Sequence, residues 1–318
     1  MENKRALVIS GGGAKGAFAV GAIKYLMIEL GLTFDLVVGT STGALIAPLV
    51  VTQDIANLIH FYENIEDQDL LGNRPDILAF LFSDALNDTK PLKRLIYNFF
   101  GNRVRYEKLR KSPIELFVTV VNMQTGMVEY GNQHTDKKST LLQKILASAS
   151  IPVMMPPVKI GRYQYIDGGL KEIAPLGKAI DEGATHIISI ILTPEQEYRK
   201  PHQKELKSSL EILKRTIELL TDEILDNDLK IANLYSKAIC FVDRVKKNAK
   251  EKLCLNPSEI TKLFAGIENP FSNKKIIEIT TIRPDEELME SSLQFDPEKM
   301  KQMVDKGYRK AKEIVKKD

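Results

Sequence analysis

Cysteine is scarce in this chain. Only Cys240 and Cys254 occur, so no disulfide framework can stabilise it, and a reducing, cytoplasmic setting is expected. An excess of charge of one sign is lacking too: a net charge of +3 over 318 residues is too slight to point to nucleic acid as a partner. Lysines gather late, at Lys246, Lys247, Lys250 and Lys252 and again from Lys310 to Lys317. They read first as solvated helix faces, with peripheral contact to an anionic membrane as the sharper alternative. No apolar signal-peptide region precedes the first strand-like run. The one long uncharged stretch, Leu36 to Gln53, nears the length of a membrane span but contains Gly39, Gly43 and Pro48, and reads better as a buried strand, turn and helix. Repeats and low-complexity tracts are absent. No His, Cys or carboxylate spacing suggests a metal site, and no cofactor is expected. What is present, 43% apolar and 27% charged residues, is the composition of a globular protein long enough to bury a substantial core.

The first fifty residues alternate. Arg5 to Ser10 is a β-rich run closed by three glycines, and Ala14 to Leu30 has the spacing of a helix ended by Gly31. Asp35 to Val38 is a second strand, and Gly43 to Val51 is apolar on every side, as a core helix is. Two strands joined through a helix form a βαβ unit, so the expected class is α/β: three layers, with helices on both faces of a mostly parallel central sheet. Asp54 to Tyr106 reads as mainly helical, and its apolar patch from Ile77 to Phe82 suits an acyl channel, a lid or plain core packing. Hairpins are expected around Gln124-Thr125-Gly126 and Gly161-Arg162, a helix over Pro175 to Glu182, and a buried strand over Thr185 to Leu192. Beyond a charged connector, Leu206, Leu210, Leu213, Ile217, Leu220 and Ile224 step by four and three, and Ile231, Leu234 and Ala238 keep that phase. A long amphipathic helix docked on its own core is the plainer reading, and a dimer through residues 206–238 the other. Ile276 to Ile282 is a last strand, and Asp296-Pro297 opens a terminal helix.

Gly39-Thr40-Ser41-Thr42-Gly43 is a G-x-S-x-G between an apolar strand and an apolar helix. A serine on so tight a turn is held in strained geometry with its hydroxyl projecting, which makes Ser41 a candidate nucleophile. Gly11-Gly12-Gly13-Ala14-Lys15-Gly16 matches the dinucleotide fingerprint G-x-G-x-x-G. That reading needs an acidic residue at the end of the second strand, whereas Asp35 precedes the strand and Thr40 and Ser41 end it. It is no Walker A either, because Lys15 falls before the last glycine. Unshielded amides at a helix start suit an oxyanion hole better. A non-catalytic module that holds lipid or nucleotide on the Gly11–Gly16 loop is the competing function. For the base, His60, His134, His186 and His202 are available, and only the last two fit a Ser…Asp…His order. Asp167-Gly168-Gly169, after the strand-like Tyr163 to Ile166, competes with them.

Taken together, Ser10 to Gly16, Gly39 to Leu45, Ala147 to Pro152 with Pro156-Pro157, and Asp167-Gly168-Gly169 followed by Pro175-Leu176 resemble the patatin-like phospholipases in order and spacing, over about residues 5 to 193. The resemblance implies a lipid acyl hydrolase with Ser41 as nucleophile, Asp167 as base without a histidine, and Gly11 to Gly16 as the oxyanion element. It implies a catalytic domain over residues 1–193, with a helix-rich region, 194–318, packed against it as an extension. The substrate is then a lipid or another acyl ester. Two positions depart from the family pattern: Lys15 stands where arginine is common, and Ala174 where asparagine is common.

Overall fold

The computed structural model describes residues 3–70, 72, 85, 88–199, 205–265, 277–289 and 291–316. The Ile77–Phe82 patch and His202 lie outside them.

One sheet organises the chain. Its strands are β1 (Arg5–Ile9), β2 (Leu36–Thr40), β3 (Glu115–Asn122), β4 (Val128–Gly131), β5 (Val158–Ile160), β6 (Tyr163–Asp167), β7 (His186–Ile190) and β8 (Glu278–Ile282), in the order β5-β6-β3-β2-β1-β7-β8, with β4 also on β3. From β3 through β8 neighbours along this order are parallel, while β4, β5 and β6 run antiparallel to their partners. The central strands carry β-branched and leucine side chains because both of their faces are covered. Successive residues point to opposite faces. Leu7, Ile9, Val37 and Leu116 pack into the larger core beneath α1 (Gly16–Lys24), α2 (Thr42–Val51), α3 (Ile55–Asn64), α4 (Lys90–Phe100) and α5 (Lys138–Ser148). Ala6, Val8, Leu36 and Val38 pack into the other, against α6 (Leu176–Asp181) and α7 (Ser209–Lys252). The expected three-layer α/β/α arrangement is therefore present, with additional C-terminal helices.

The C-terminal part is woven into this frame. β8 pairs with β7, and α8 (Pro297–Ile314) buries Met300, Met303 and Val304 in the larger core. α7 opens with a capping box between Ser208 and Glu211. It docks through Leu225, Leu229 and Ala232. The four-and-three seam legible in the sequence is a different face: Leu220, Ile231 and Leu234 on it are exposed.

Candidate active site

β2 ends at Thr40, and the next residue turns the chain. Ser41 has φ 56° and ψ −121°, a conformation that costs a side chain free energy and persists only where its surroundings impose it. The surroundings are bare backbone. A Cβ on Gly39 would overlap the Gly43 carbonyl, and one on Gly43 would overlap the carbonyl of Ile9, so only glycine permits helix α2 to start this close to the sheet. The Ser41 amide donates to Ser148 Oγ at 3.0 Å, which ties the turn to the end of α5. Beside it the Thr42 and Tyr62 hydroxyls meet at 2.6 Å and hold α2 to α3.

Asp167 arrives from the opposite direction. β2 and β6 both lie against β3, one parallel and the other antiparallel; Thr40 stands opposite Thr119, and Asp167 opposite Val120. The two strands therefore run towards each other along one ruler and end one register position apart, which brings Ser41 and Asp167 together from 126 residues' separation (167 less 41). The Asp167 amide donates to the Ser150 carbonyl at 3.0 Å, and its Oδ1 accepts from the Gly169 amide at 2.8 Å. Burial pushes the Asp167 carboxyl up to about 7, against the Gly169 amide and the Ser41 side chain, which both draw it down. An exposed aspartate is too weak a base for a hydroxyl. This one changes protonation at neutral pH, where a general base is most useful.

The glycine loop completes the cluster, and only part of it is free to bind. The Gly11 amide donates to Ile173 O, the Ala14 amide to Ser292 O and the Lys15 amide to Gly12 O. Among the described residues, no acceptor meets the amides of Gly12 and Gly13. Lys15 pairs with Glu287 at 3.1 Å. Ser41 and Gly13 both stand in the wall of an apolar cavity lined by Leu45, Leu58, Phe61, Leu92, Ile96 and Phe99, with Leu293 and Phe295 from the C-terminal segment.

The turn after Asp167 is held by Thr40 of the elbow and by residues outside the motifs. Thr40 Oγ1 donates to the Glu172 carbonyl at 3.0 Å, and Tyr130 Oη donates to the Glu172 carboxylate at 2.5 Å. Asp228 Oδ2, on α7, accepts from the amides of Ile173 and Ala174, each at 3.0 Å. The asparagine common before Pro175 in the family is thus replaced by an alanine whose backbone is held by a distant carboxylate. Sequence reading missed Asp228, because an aspartate on a long amphipathic helix carries no local signature. Burial pushes its carboxyl up to about 7, opposed by the Ala174 amide, with the Glu172 charge adding to the rise. Asp228→Ala strands two amides and is expected to cost roughly 2 kcal/mol of stability and to lower kcat more than it raises KM. Asp228→Asn, which keeps the acceptor, should lose much less in urea unfolding and ester turnover.

Among the described residues the histidines lie elsewhere. His186 begins β7 opposite Arg5, at the end of the sheet remote from Ser41, and contacts Glu278 at 3.4 Å. His60 bonds within its own helix to Asn64, and His134 sits beside Gln133 in a polar turn. No cluster of potential metal ligands occurs among the described residues.

This α/β/α sheet, with its serine elbow opening on an apolar cavity, defines a lipid-acting serine hydrolase. The family model for patatin-like phospholipases matches residues 7–180, more than half of the chain, and the protein belongs to that family. Among its relatives, the Bacillus subtilis protein YqhO is 25% identical over 74% of this chain and 86% of its own length. The Mycobacterium tuberculosis NTE family protein Rv2565 is 31% identical over 53% of this chain, which spans only 27% of that relative. The cGAMP-activated phospholipase of Pseudomonas aeruginosa is 26% identical over 60% of this chain and 58% of its own length.

Proposed function

We propose that this protein cleaves acyl esters of lipids through an acyl-enzyme on Ser41, with Asp167 as the base, as a phospholipase A, lysophospholipase or carboxylesterase. The observation that carries the reading is the end-to-end meeting of a strained serine and a buried carboxyl beside an apolar cavity. In its ionised form Asp167 takes the Ser41 proton as Oγ attacks the ester carbonyl. The oxyanion of the tetrahedral intermediate is met by the Gly12 and Gly13 amides, each such donor contributing about 3 kcal/mol to the transition state. Collapse expels the alcohol or lysolipid, which leaves with the proton from Asp167. Water, deprotonated by the same carboxylate, then attacks the acyl-enzyme, and the fatty acid is released as Ser41 Oγ takes that proton back from Asp167. The cavity would hold the acyl chain, and the phospholipase name of the Pseudomonas relative supports a lipid substrate.

In this reading residues 1–193 form the catalytic domain, and the 194–318 region supports and covers it. No helix among the described residues is long and apolar enough to cross a membrane. Contact with lipid at a membrane surface is part of the proposal.

A fluorophosphonate probe tests the chemistry directly. It is expected to add to the peptide bearing Ser41 in the native protein and to leave Ser41→Ala unlabelled. A native protein that binds lipid or nucleotide but takes up no label would instead be the binding module that the glycine loop alone suggests.

A further inference from the structure

We infer that α7 joins two copies of this chain as a parallel, two-stranded coiled coil, an inference independent of the catalytic reading. The argument starts from which side of the helix is already used. Leu225, Leu229, Ala232 and Ile239 are turned to the chain's own domain, and Ser236 Oγ donates to Ile277 O at 2.8 Å. If Ile224 is given position a of a heptad, these residues fall at b and f, the back of a coiled-coil helix. Asp228, which holds the Ile173 and Ala174 amides, falls at e, so among the described residues the side turned from the domain carries the apolar d positions and Ile231, with Ile217 and Ile224 half-buried at its edge.

Their chemistry identifies the occupant. Ile217, Ile224 and Ile231 stand at a, and Leu213, Leu220 and Leu234 at d. Phe241 and Val245 extend the pattern beyond the span seen in the sequence alone, and Asn227 is the single polar residue in the seam from 213 to 245. β-branched residues at a with leucine at d favour two parallel strands, because each knob then fits the hole that an identical helix offers. Exposure covers the seam and the c positions beside it: Leu220 and Ile231 are 55% exposed, Leu234 65% and Phe241 68%, with Leu219 at c 53%, whereas Ala232, one position from Ile231, is 3%. A membrane-facing helix would ask for apolar side chains without asking which of them are β-branched. The alternation of isoleucine and leucine is specific to a helical partner of the same kind.

The size suffices. The 33 residues from 213 to 245 (245 less 213, plus one) lie within one continuous helix, and span about 50 Å. A strip of that length and one helix diameter, about 10–12 Å, wide is about 500–600 Å², at the lower end of the roughly 600–1,000 Å² that each partner contributes to a stable interface. In register, the Asn227 side chains of the two copies would share one polar layer.

Sedimentation of the full chain over a wide concentration range tests this. Twice the mass of one chain is expected. The double variant Leu220→Lys, Ile231→Lys should halve that mass while leaving ester turnover per chain unchanged, since both side chains are solvent-facing and far from the reacting groups. In a Cys240→Ser, Cys254→Ser background, Asn227→Cys should give a disulfide-linked dimer on mild oxidation. A native protein that stays monomeric overturns the proposal, as does a lysine variant that remains dimeric, or a native monomer that instead binds anionic phosphatidylglycerol vesicles through this seam. Failure of Asn227→Cys to cross-link overturns the parallel, in-register arrangement.

Discussion

Asp167→Asn is expected to lower acyl-ester turnover by roughly 10³-fold or more while making the protein more stable at pH 8. The two effects have one origin. In the native protein the Asp167 carboxyl is buried and its pKa is raised to about 7 from an ordinary value of 3.8. A carboxyl raised on folding contributes no penalty while it is protonated in both states, below about pH 4. Stability is then lost as pH climbs towards the folded value, because the unfolded chain ionises first, and the loss is complete once pH passes about 7. The shift corresponds to a cost of up to about 4 kcal/mol for holding the ionised group. Asparagine fills the same space, accepts the Gly169 amide and never ionises. Thermal unfolding of the two proteins should therefore differ little at pH 4 and most at pH 8, with the variant melting higher. The rate profile shows the same group from the other side. Native kcat/KM is expected to rise with pH on a single limb centred near 7 and to level off above it, and the variant's residual rate should lack that limb. Equal melting temperatures at both pH values, or a variant with native turnover, would remove Asp167 from the role of base.

The second large effect concerns Ser41 itself. Ser41→Ala and Ser41→Gly should both lose turnover by roughly 10⁴-fold or more, since in the proposed reaction the acyl-enzyme forms on Ser41. Their stabilities should part company. Alanine keeps a Cβ at φ 56°, whereas glycine occupies that region freely, so the glycine variant is expected to be more stable than the alanine one by about 1 kcal/mol. Chemical denaturation of the pair reads the strain in the elbow directly. A glycine variant no more stable than alanine would mean that the turn stores none.

Much of this was legible in the residues. Gly39 and Gly43 announce the elbow because a close helix start has no other solution, and the apolar runs around them place it between a strand and a helix. Asp167 is visible because two glycines follow it at the end of a β run. Their meeting is not visible, because it depends on β3 acting as a common partner for β2 and β6, a register matter that no local pattern encodes. Nor could the glycine loop reveal how its amides are divided. Gly11 and Ala14 look as exposed in sequence as Gly12 and Gly13, and only the approach of Ile173 and Ser292 shows that two amides are occupied. The seam of α7 offers a third case. Its phase is plain in the sequence, but which face meets the domain turns on residues one position later, Leu225 and Ala232, which periodicity alone does not favour.

The contact between Ser292 and Ala14 also has a consequence in time. The carbonyl that occupies the Ala14 amide, like the Leu293 and Phe295 walls of the cavity, is made more than 270 residues after Ala14 itself (292 less 14). A nascent chain that already carries both Ser41 and Asp167 still lacks this edge of the site, so the pocket takes its full shape only once the segment through Phe295 has been made.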